Sequence, residues 1–119
     1  MPLIGFKKRF VLAVEERQKR QTMRERRKRP TDPKVGDTLY LYAHLRTKQC
    51  RKLGEEKCTA VKSIVVTPDT IRLDGVMLHR DQREAFARAD GFGSFDEMVD
   101  WLANEAGRSF PWSGIVIYW

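Results

Sequence analysis

The sequence predicts an α+β fold, in which a small, mainly antiparallel, barrel-like β-sheet has helices packed beside it. Short apolar stretches with the alternation of β-strands are separated by turn residues, and only a few stretches have helical periodicity. Strands and helices do not alternate regularly along the chain, which argues against a parallel sheet. The continuous apolar stretch at residues 114–119 predicts a final strand enclosed within the sheet, so that the fold closes on this strand.

The first quarter of the chain begins with a short strand and a helix. Residues 3–6 predict the strand or a lead-in to it, and apolar residues then recur at helical spacing. This apolar stripe consists of Phe6, Phe10, Ala13 and Val14. Residues 18–29 have no strong period, and Pro30, Pro33 and Gly36 then favour turns.

The middle of the chain predicts further strands. Residues 38–43 and 58–66 are rich in aromatic and β-branched side chains, as is typical of strands, whereas the polar residues 46–57 predict a loop with a helical turn. Asp74-Gly75 is a strong signal for a two-residue hairpin turn between two short apolar runs. The strands of this hairpin are residues 70–73 and 76–78.

Two helices are predicted after the hairpin. Asp81 with Glu84 predicts the start of the first, which runs to about Ala89. Ser94 with Glu97 has the spacing of a capping box and predicts the start of the second. The predicted buried face of the second helix consists of Phe95, Met98, Val99, Leu102 and Ala106.

The composition is that of one folded domain spanning residues 1–119. The hydrophobic fraction of 41% is too high for a disordered chain, and no apolar run approaches the ~20 residues that span a bilayer. The N-terminal charges follow the apolar residues, which is the opposite of the order in a secretory signal. We therefore expect a cytoplasmic protein without a membrane partner.

The two cysteines, Cys50 and Cys58, are too few for a disulfide framework and are expected to be free thiols. A zinc site drawing on these thiols together with His44 and His79 is an alternative, but the spacing matches no short Cys or His clip. The sequence therefore predicts no metal site and no cofactor.

The positive charge is concentrated at one end of the chain. The net charge is +7, yet residues 1–29 hold 11 basic and 3 acidic side chains, and residues 30–119 hold 12 basic and 13 acidic ones. The whole excess therefore lies in the first 29 residues, where it focuses a positive field that attracts a polyanion. The cations assigned to phosphate contacts are Arg17, Lys19, Arg20, Arg24, Arg26, Arg27, Lys28 and Arg29. The alternative is a solvated loop that contacts nothing.

A set of short motifs follows a fixed order along the chain. The first helix is followed by Lys19, Thr22 and Arg24 in a Lys-x-x-Thr-x-Arg pattern, and Val35-Gly36-Asp37 then precedes a strand. Later the chain has Asp90-Gly91-Phe92 before the Ser-capped helix, and it ends in an apolar strand. In order and spacing, over roughly residues 3–119, the chain resembles the ASCH domain family of the PUA-like superfamily, in its small stand-alone bacterial or phage form.

The resemblance implies a small β-barrel whose cleft is lined by the Lys-x-x-Thr-x-Arg segment, and a role in RNA binding and RNA metabolism. One bacterial branch of the family hydrolyses the acetyl amide of N(4)-acetylcytidine with a Lys, a Thr and a Glu, and other members are reported to cleave RNA. The Lys corresponds to Lys19, the Thr to Thr22, and the Glu falls near Asp90, a shorter carboxylate. The chain departs from the branch at Arg20, where the branch has Thr, and in lacking a Gly before the motif.

The chemistry of such a site is consistent with these residue types. The Thr22 hydroxyl becomes a nucleophile only beside a base, and Lys19 is a base only if burial or neighbouring cations lower its pKa. In sequence, Arg17, Arg20 and Arg24 are near enough to supply those cations. On a regular strand, Lys19 and Thr22 face opposite sides, so they meet only if Lys19 lies on the preceding turn.

Each of these residues also has a plain structural reading. Asp90 would orient Lys19 or hold the edge of a base, or it simply ends a helix. Thr22 is equally explained as an ordinary strand residue and Lys19 as a solvated cation. For Tyr40 and Tyr42, which alternate with leucines, the sequence leaves two options open: an outward face that stacks on unpaired bases, or a place in the core.

The function predicted from the sequence is therefore RNA binding, in which the basic segment, residues 17–29, contacts phosphates and the cleft holds a base. One alternative is an enzyme that acts on a modified nucleoside, as an N(4)-acetylcytidine amidohydrolase does, or a ribonuclease that uses Lys19 and Thr22. Another is a protein-interaction domain for an acidic partner. The choice among RNA, DNA and a free nucleoside or nucleotide, and the oligomeric state, are not set by the sequence.

Overall fold

Eight strands and three helices make up the part of the chain that the computed structural model describes, residues 3–26 and 32–119. The strands are β1 (Leu3–Phe6), β2 (Gln21–Arg24), β3 (Thr38–Ala43), β4 (Arg51–Lys57), β5 (Ala60–Val66), β6 (Ile71–Leu73), β7 (Val76–Met77) and β8 (Trp112–Tyr118). The helices are α1 (Lys8–Glu15), α2 (Arg80–Ala89) and α3 (Phe95–Asp100), and α3 continues as a π-helical segment, Trp101–Glu105. In these described ranges, no helix has both the length and the apolar character needed to cross a bilayer.

The larger sheet has five strands in the order β2-β8-β5-β6-β7, and every neighbouring pair is antiparallel. Strand β8 lies between β2 and β5, which confirms the prediction of an enclosed final strand. Its residues Ile115, Val116 and Ile117 are buried. The pairing of β2 with β8 places Thr22 opposite Ile117, so that the edge strand β2 is held against the most apolar strand of the fold.

The smaller sheet has three strands in the order β1-β3-β4, with β1 parallel to β3 and β3 antiparallel to β4. The α+β class and the mainly antiparallel pairing are thus confirmed. Among the described residues, the backbone ladders form two separate sheets and no closed barrel. The barrel that the family resemblance implies therefore stays a prediction.

Strand β4 corrects the predicted loop at residues 46–57. It pairs with β3 along its length, with a register shift between Leu41 and Tyr42. The strand was missed because its sequence is polar on both faces and lacks the apolar alternation of a half-buried strand. An edge strand of this kind is specified by the backbone hydrogen bonds of its neighbour, which a pattern of side chains does not record.

The hairpin between β6 and β7 is confirmed. Asp74 and Gly75 both have positive φ angles, 48° and 81°, as a two-residue turn of this type requires. The predicted start of α2 is displaced. The capping residue is His79, which exchanges hydrogen bonds with Gln82, whereas the carboxylate of Glu84 accepts from the backbone N–H of Phe95.

The start of α3 follows the prediction in part. The Ser94 hydroxyl accepts a hydrogen bond from the backbone N–H of Glu97 at 3.1 Å, but the Glu97 carboxylate accepts from Gly93 instead of closing the box. On the predicted inner face, Phe95, Met98 and Leu102 are buried, and Val99 and Ala106 are half-buried. The helix therefore packs with the side that its periodicity indicates.

Helix α1 is fixed to the later helices by aromatic contacts. The ring of Phe10 packs edge-on against Phe92 and Trp101, each with 5.5 Å between ring centroids. Such edge-to-face pairs are the favoured geometry of aromatic rings. They hold α1 beside the π-helical segment and so form one wall of the cavity described next.

Candidate functional site

A cavity of about 210 Å³ lies between β2, the β1–α1 junction and the π-helical segment with the residues that follow it. It is lined by aromatic rings (Phe6, Phe10, Trp101 and Trp112), by cations (Lys7, Lys19, Arg24 and Arg108), by carboxylates (Glu25, Asp90 and Glu105), and by Gly5, Thr22, Met23, Leu102 and Ala106. The cavity thus brings together Lys19, Thr22, Arg24 and Asp90, the four residues that the sequence motifs single out.

Lys19 forms a buried ion pair with Asp90 on the cavity wall. Its Nζ donates to the backbone carbonyl oxygen of Asp90 at 2.6 Å and lies 3.4 Å from the carboxylate Oδ2. The Lys19 residue is 2% exposed and Asp90 is 3% exposed. The reading of Lys19 as a solvated cation is therefore wrong, and Asp90 both ends α2 and holds Lys19.

The backbone before β2 determines where Lys19 points. The N–H groups of Gln18 and Lys19 both donate to the carbonyl oxygen of Ala13, and Arg17 has a positive φ of 61°. The chain therefore turns back on the end of α1 before β2 begins. This places Lys19 on the turn, where it lines the same cavity as Thr22, as the alternation argument required.

The ammonium of Lys19 is packed under an aromatic ring. Its Nζ lies 4.8 Å from the centroid of Phe10, within the range of a cation–π contact. Gly91 allows this packing. A Cβ on Gly91 would lie 3.0 Å from a ring carbon of Phe10 and 3.6 Å from Lys19 Cδ, and its φ of 103° disfavours a side chain.

Burial shifts both members of the pair towards their neutral forms. It lowers the pKa of Lys19 to about 8, against the attraction of Asp90. Burial likewise raises the pKa of Asp90, against the attraction of Lys19 and a hydrogen bond from Gln21. A lysine whose pKa is about 8 is closer than an ordinary lysine to the range suited to proton transfer at moderate pH.

The predicted cationic neighbours contribute little to this shift. Arg24 lowers the pKa of Lys19 only as the weakest of its causes. Arg17 and Arg20 are exposed, and Arg20 donates to the carbonyl oxygen of Trp119 at 3.0 Å and lies 3.9 Å from Glu56. The prediction that Arg17 and Arg20 lower the pKa of Lys19 was therefore wrong. The main cause is the burial of Lys19, which removes the water around its ammonium.

Thr22 and Arg24 share one face of β2, as strand alternation predicts. Arg24 Nε donates to the Thr22 hydroxyl at 3.2 Å, and another of its nitrogens donates to the carbonyl oxygen of Gly5. The guanidinium carbon lies 5.3 Å from the centroid of Phe6. Arg24 is therefore part of the cavity wall and orients a hydroxyl that is 5% exposed.

Gln21 is a site residue that the sequence reasoning missed. Its side chain is buried, and its amide Nε2 donates to Asp90 Oδ1 at 3.3 Å. Gln21 and Lys19 together fix both oxygens of the carboxylate. The only sequence signal was that Gln21 is polar, and its burial became visible only in the structure. A single polar residue in a strand is too weak a signal to identify a site.

The remaining predicted phosphate contacts lie away from the cavity or beyond the described residues. Arg17, Arg20 and Arg26 are exposed and do not line the cavity. Arg27, Lys28 and Arg29 lie outside the described ranges. Of the residues in the basic segment that were assigned to phosphate contacts, Lys19 and Arg24 line the cavity.

The two tyrosines are not at the cavity. On β3, Leu39 and Leu41 are buried, whereas Tyr40 and Tyr42 are half-buried on the opposite face. The ring of Tyr40 lies beside Lys52, whose Nζ is 5.4 Å from the ring centroid. The two tyrosines therefore lie on the less buried face of β3, away from the Lys19 cavity, and their stacking on bases stays a prediction.

The residues weighed for zinc are dispersed. Cys58 is buried and Cys50 exposed, while His79 caps α2. Within residues 3–26 and 32–119, no group of three or more His, Cys, Asp or Glu side chains is placed to hold a metal ion.

No protein-family model matches this chain, and no curated protein or solved structure matches it either. The resemblance to the ASCH family therefore stays a prediction.

Proposed function

We propose that the protein binds RNA, with one unpaired base held in the cavity beside Lys19, Thr22 and Asp90. This is the function that the resemblance to the ASCH domain family implies. The observation that carries it is the combination, in one cavity, of aromatic walls with a buried polar cluster.

The size and lining of the cavity support a single base as the ligand. Its volume of about 210 Å³ is below the ~300–1,000 Å³ of pockets that hold drug-sized ligands. Unpaired bases are recognised through stacking on aromatic side chains and hydrogen bonds to their edges. The cavity offers both kinds of contact, from rings such as Phe6 and Trp101 and from polar groups such as Thr22 and Asp90.

The buried ion pair supports a function for this cluster because it is a poor device for stability. Moving both charges out of water costs about as much as their attraction returns, and apolar replacements are often neutral or stabilising. The polar cluster comprises Lys19, Gln21, Thr22 and Asp90, each at most 7% exposed. Perturbed titrating groups that converge on a cavity are candidates for functional sites.

The position of β2 supports RNA over a free nucleoside. Arg24 and Glu25 line the cavity, and the next residue, Arg26, is exposed. The run of cations at residues 24–29, interrupted by Glu25, thus begins at the cavity wall, and its last members in the sequence are Arg27, Lys28 and Arg29. A ligand with several phosphates gains more from this charge than a ligand with none.

The first test is the affinity for short single-stranded RNA as a function of salt. We expect the logarithm of the association constant to fall linearly with the logarithm of the salt concentration, by about 0.7 for each phosphate contacted. RNA binding without salt dependence would contradict the proposal. An acidic protein that binds the chain in a pull-down and is not displaced by RNA would instead favour the interaction with an acidic partner.

The second test fills the cavity without changing a charge. Ala106 is half-buried on the cavity wall, and Ala106→Met places three more heavy atoms there. We expect this variant to lose RNA affinity by at least about tenfold, or 1.4 kcal/mol. Ala103→Met is the matched control, because Ala103 lies three residues earlier, on the π-helical segment that ends just before Ala106, and it is exposed and does not line the cavity. Equal affinities for the two variants would exclude base binding in the cavity.

A second candidate function is hydrolysis of a modified nucleoside or of RNA. It is favoured by one observation, the lowering of the Lys19 pKa to about 8 in a cavity that also contains the Thr22 hydroxyl. Neutral Lys19 would accept the hydroxyl proton as Thr22 Oγ1 attacks the acetyl carbon, and would return that proton to the N4 amine of cytidine as the amide bond breaks; water would then hydrolyse the acetyl ester on Thr22. In a ribonuclease, Thr22 Oγ1 would attack phosphorus, the 5′-oxygen of the next nucleotide would leave with the proton, and water would release the phosphate from Thr22.

Incubation with N(4)-acetylcytidine and with labelled RNA separates binding from catalysis. If the enzyme hypothesis holds, turnover of either substrate is lost in Thr22→Val, which preserves the volume of the side chain, and is unchanged in Ala103→Met. Turnover that persists in Thr22→Val would remove Thr22 as the nucleophile. Binding of RNA without turnover of either substrate would exclude the enzyme hypothesis and support RNA binding as the function.

A further inference from the structure

The cations that line the cavity fall into an inner and an outer set. The inner set is Lys19 and Arg24, whose side chains are directed to Asp90 and to Thr22 and Gly5. The outer set is Lys7 and Arg108, which also line the cavity; Lys7 is exposed, and the side chain of Arg108 is 35% exposed. The two sets come from different elements, since Lys7 precedes α1 and Arg108 follows the π-helical segment.

Lys7 is available to an incoming anion. Its Nζ lies 5.2 Å from the ring centroid of Trp101, which orients the side chain across the edge of the cavity. In the described part of the chain, no carboxylate is within ion-pair distance of this ammonium. A ring face is a weaker partner for an ammonium than a phosphate oxygen.

Arg108 has a carboxylate partner that an anion can replace. It forms an ion pair with Glu25, which also lines the cavity, and the side chains are 35% and 58% exposed. An ion pair this exposed contributes little, because water screens it. A phosphate accepts two parallel hydrogen bonds from a guanidinium and carries more charge than one carboxylate, so it competes well for Arg108.

We propose that Lys7 and Arg108 form a phosphate-binding rim at the cavity, so that the site binds a nucleotide in preference to the corresponding nucleoside. Glu25 occupies Arg108 until the phosphate of the bound nucleotide displaces it. This proposal depends on the proposed function, because the rim is useful only if the cavity holds the base. It identifies Arg108, Lys7 and Glu25 as residues that determine specificity.

The test measures the affinities of the four ribonucleosides, their 5′- and 3′-monophosphates and inorganic phosphate by calorimetry. We expect the phosphate group to strengthen binding of the preferred nucleoside by about tenfold, the usual gain from a charge-assisted hydrogen bond. Arg108→Gln should remove this gain, so that the nucleotide affinity falls about tenfold more than the nucleoside affinity, with a smaller difference for Lys7→Gln. Glu25→Gln should raise the nucleotide affinity about threefold, because it frees Arg108.

Arg51→Gln is the matched control, since Arg51 is an exposed arginine paired with a glutamate away from the cavity. It should change none of these affinities. Equal losses of nucleoside and nucleotide affinity in Arg108→Gln would overturn the rim, and so would inorganic phosphate that binds as tightly as the nucleotide.

The two proposals fail in different ways. If nucleosides bind, Ala106→Met weakens them and the phosphate adds nothing, then only the phosphate-binding rim is wrong. If no nucleoside, nucleotide or RNA binds, or Ala106→Met and Ala103→Met bind them equally well, then the cavity is not a base site and both proposals fail.

Discussion

The ion pairs Lys19–Asp90 and Arg51–Glu15 differ in two ways: the first is buried but has the longer distance, and the second is exposed but has the shorter one. Arg51 donates two hydrogen bonds to the Glu15 carboxylate, at 2.9 and 2.7 Å, from side chains that are 55% and 37% exposed. Lys19 Nζ is 3.4 Å from the Asp90 carboxylate, and both side chains are almost fully buried. By distance the exposed pair is the better one, yet the surroundings decide what each pair does.

The pKa values record this difference. In the exposed pair, the mutual hydrogen bond lowers the pKa of Glu15 and raises the pKa of Arg51, so each partner keeps the other charged. In the buried pair, burial outweighs the attraction, and the pKa of Lys19 falls while that of Asp90 rises. A buried pair of this kind costs stability and is able to change its protonation. For this reason the candidate functional site is the cavity and not the exposed surface.

The largest effect is expected from breaking the buried pair. Asp90→Ala removes the carboxylate and leaves the Lys19 ammonium buried, so we expect the free energy of unfolding to fall by about 3–5 kcal/mol. The double variant Lys19→Met with Asp90→Leu removes both charges and should unfold near the wild-type value. Urea denaturation measures both. A single variant that costs less than about 1 kcal/mol would show that the pair is not isolated from solvent.

The pH dependence of stability is the next effect. The Lys19 pKa is about 8 in the folded protein and ordinarily 10.5, so between these values the unfolded chain binds more protons. The free energy of unfolding should therefore rise as the pH increases from about 8 to 10.5, by at most about 1.4 kcal/mol per pH unit, and this contribution is lost as the pH falls back through 8.

The double variant is the reference for this measurement, because it retains Tyr118, whose pKa burial raises to about 12, so that the burial contribution of this tyrosine cancels in the comparison with wild type. A wild-type slope that equals the slope of the double variant over this window would contradict the lowered pKa of Lys19.

A smaller effect is expected from the packing beside the buried pair. Gly91→Ala places a methyl group against Phe10 and Lys19 at a φ of 103°, and we expect it to cost about 1–3 kcal/mol. Gly75→Ala is the control, since that glycine also has a positive φ, 81°, but nothing lies within 4 Å of the added atom. A larger loss for Gly91→Ala, measured in urea, isolates the contact with the ring and the lysine. If the two variants lose equal stability, Gly91 is required only for its backbone conformation and not for the space beside Phe10 and Lys19.

The smallest effect is expected at the exposed pair. We expect Arg51→Gln to leave the urea midpoint of unfolding close to that of wild type, with any difference disappearing at high salt, because water and ions screen the charges. Because the pKa of Glu15 is lowered in the folded protein, its small contribution to stability is present above the ordinary pKa of a glutamate and is lost as the pH falls through the folded pKa. A loss comparable to that of Asp90→Ala would overturn the contrast between the two pairs.

The fold was predictable where neighbouring residues carry the signal. The strand at residues 38–43, the Asp74-Gly75 hairpin and the enclosed final strand follow from alternation, turn chemistry and continuous apolar character. Strand β4 was not predictable in this way, because its polar edge depends on hydrogen bonds to β3. The capping residue of α2 was misplaced because two possible caps lie close together in the sequence.

The site was predictable as a set of residues but not as an arrangement. The Lys-x-x-Thr-x-Arg pattern and the Asp-Gly pair selected Lys19, Thr22, Arg24 and Asp90, which line one cavity. Of the aromatic walls, Phe6 and Phe10 were predicted on a helix face, and Trp101 and Trp112 were predicted to pack or to line the rim of the cleft, where the structure has them lining the cavity. Lys7, Gln21 and Arg108 were missed. Their contribution depends on elements that are distant in the sequence, and no spacing records it.

The sequence by itself determined the α+β class, the concentration of cations before residue 30 and the residue types available for chemistry, because composition and short periodicities are local properties. Only the tertiary structure decided which of those cations lose their water. Lys19 and Asp90 are 71 residues apart, and α1, β2 and α2 must pack together before solvent is excluded from both. Desolvation is a property of that packing, and it separates the buried lysine from the exposed arginines around it.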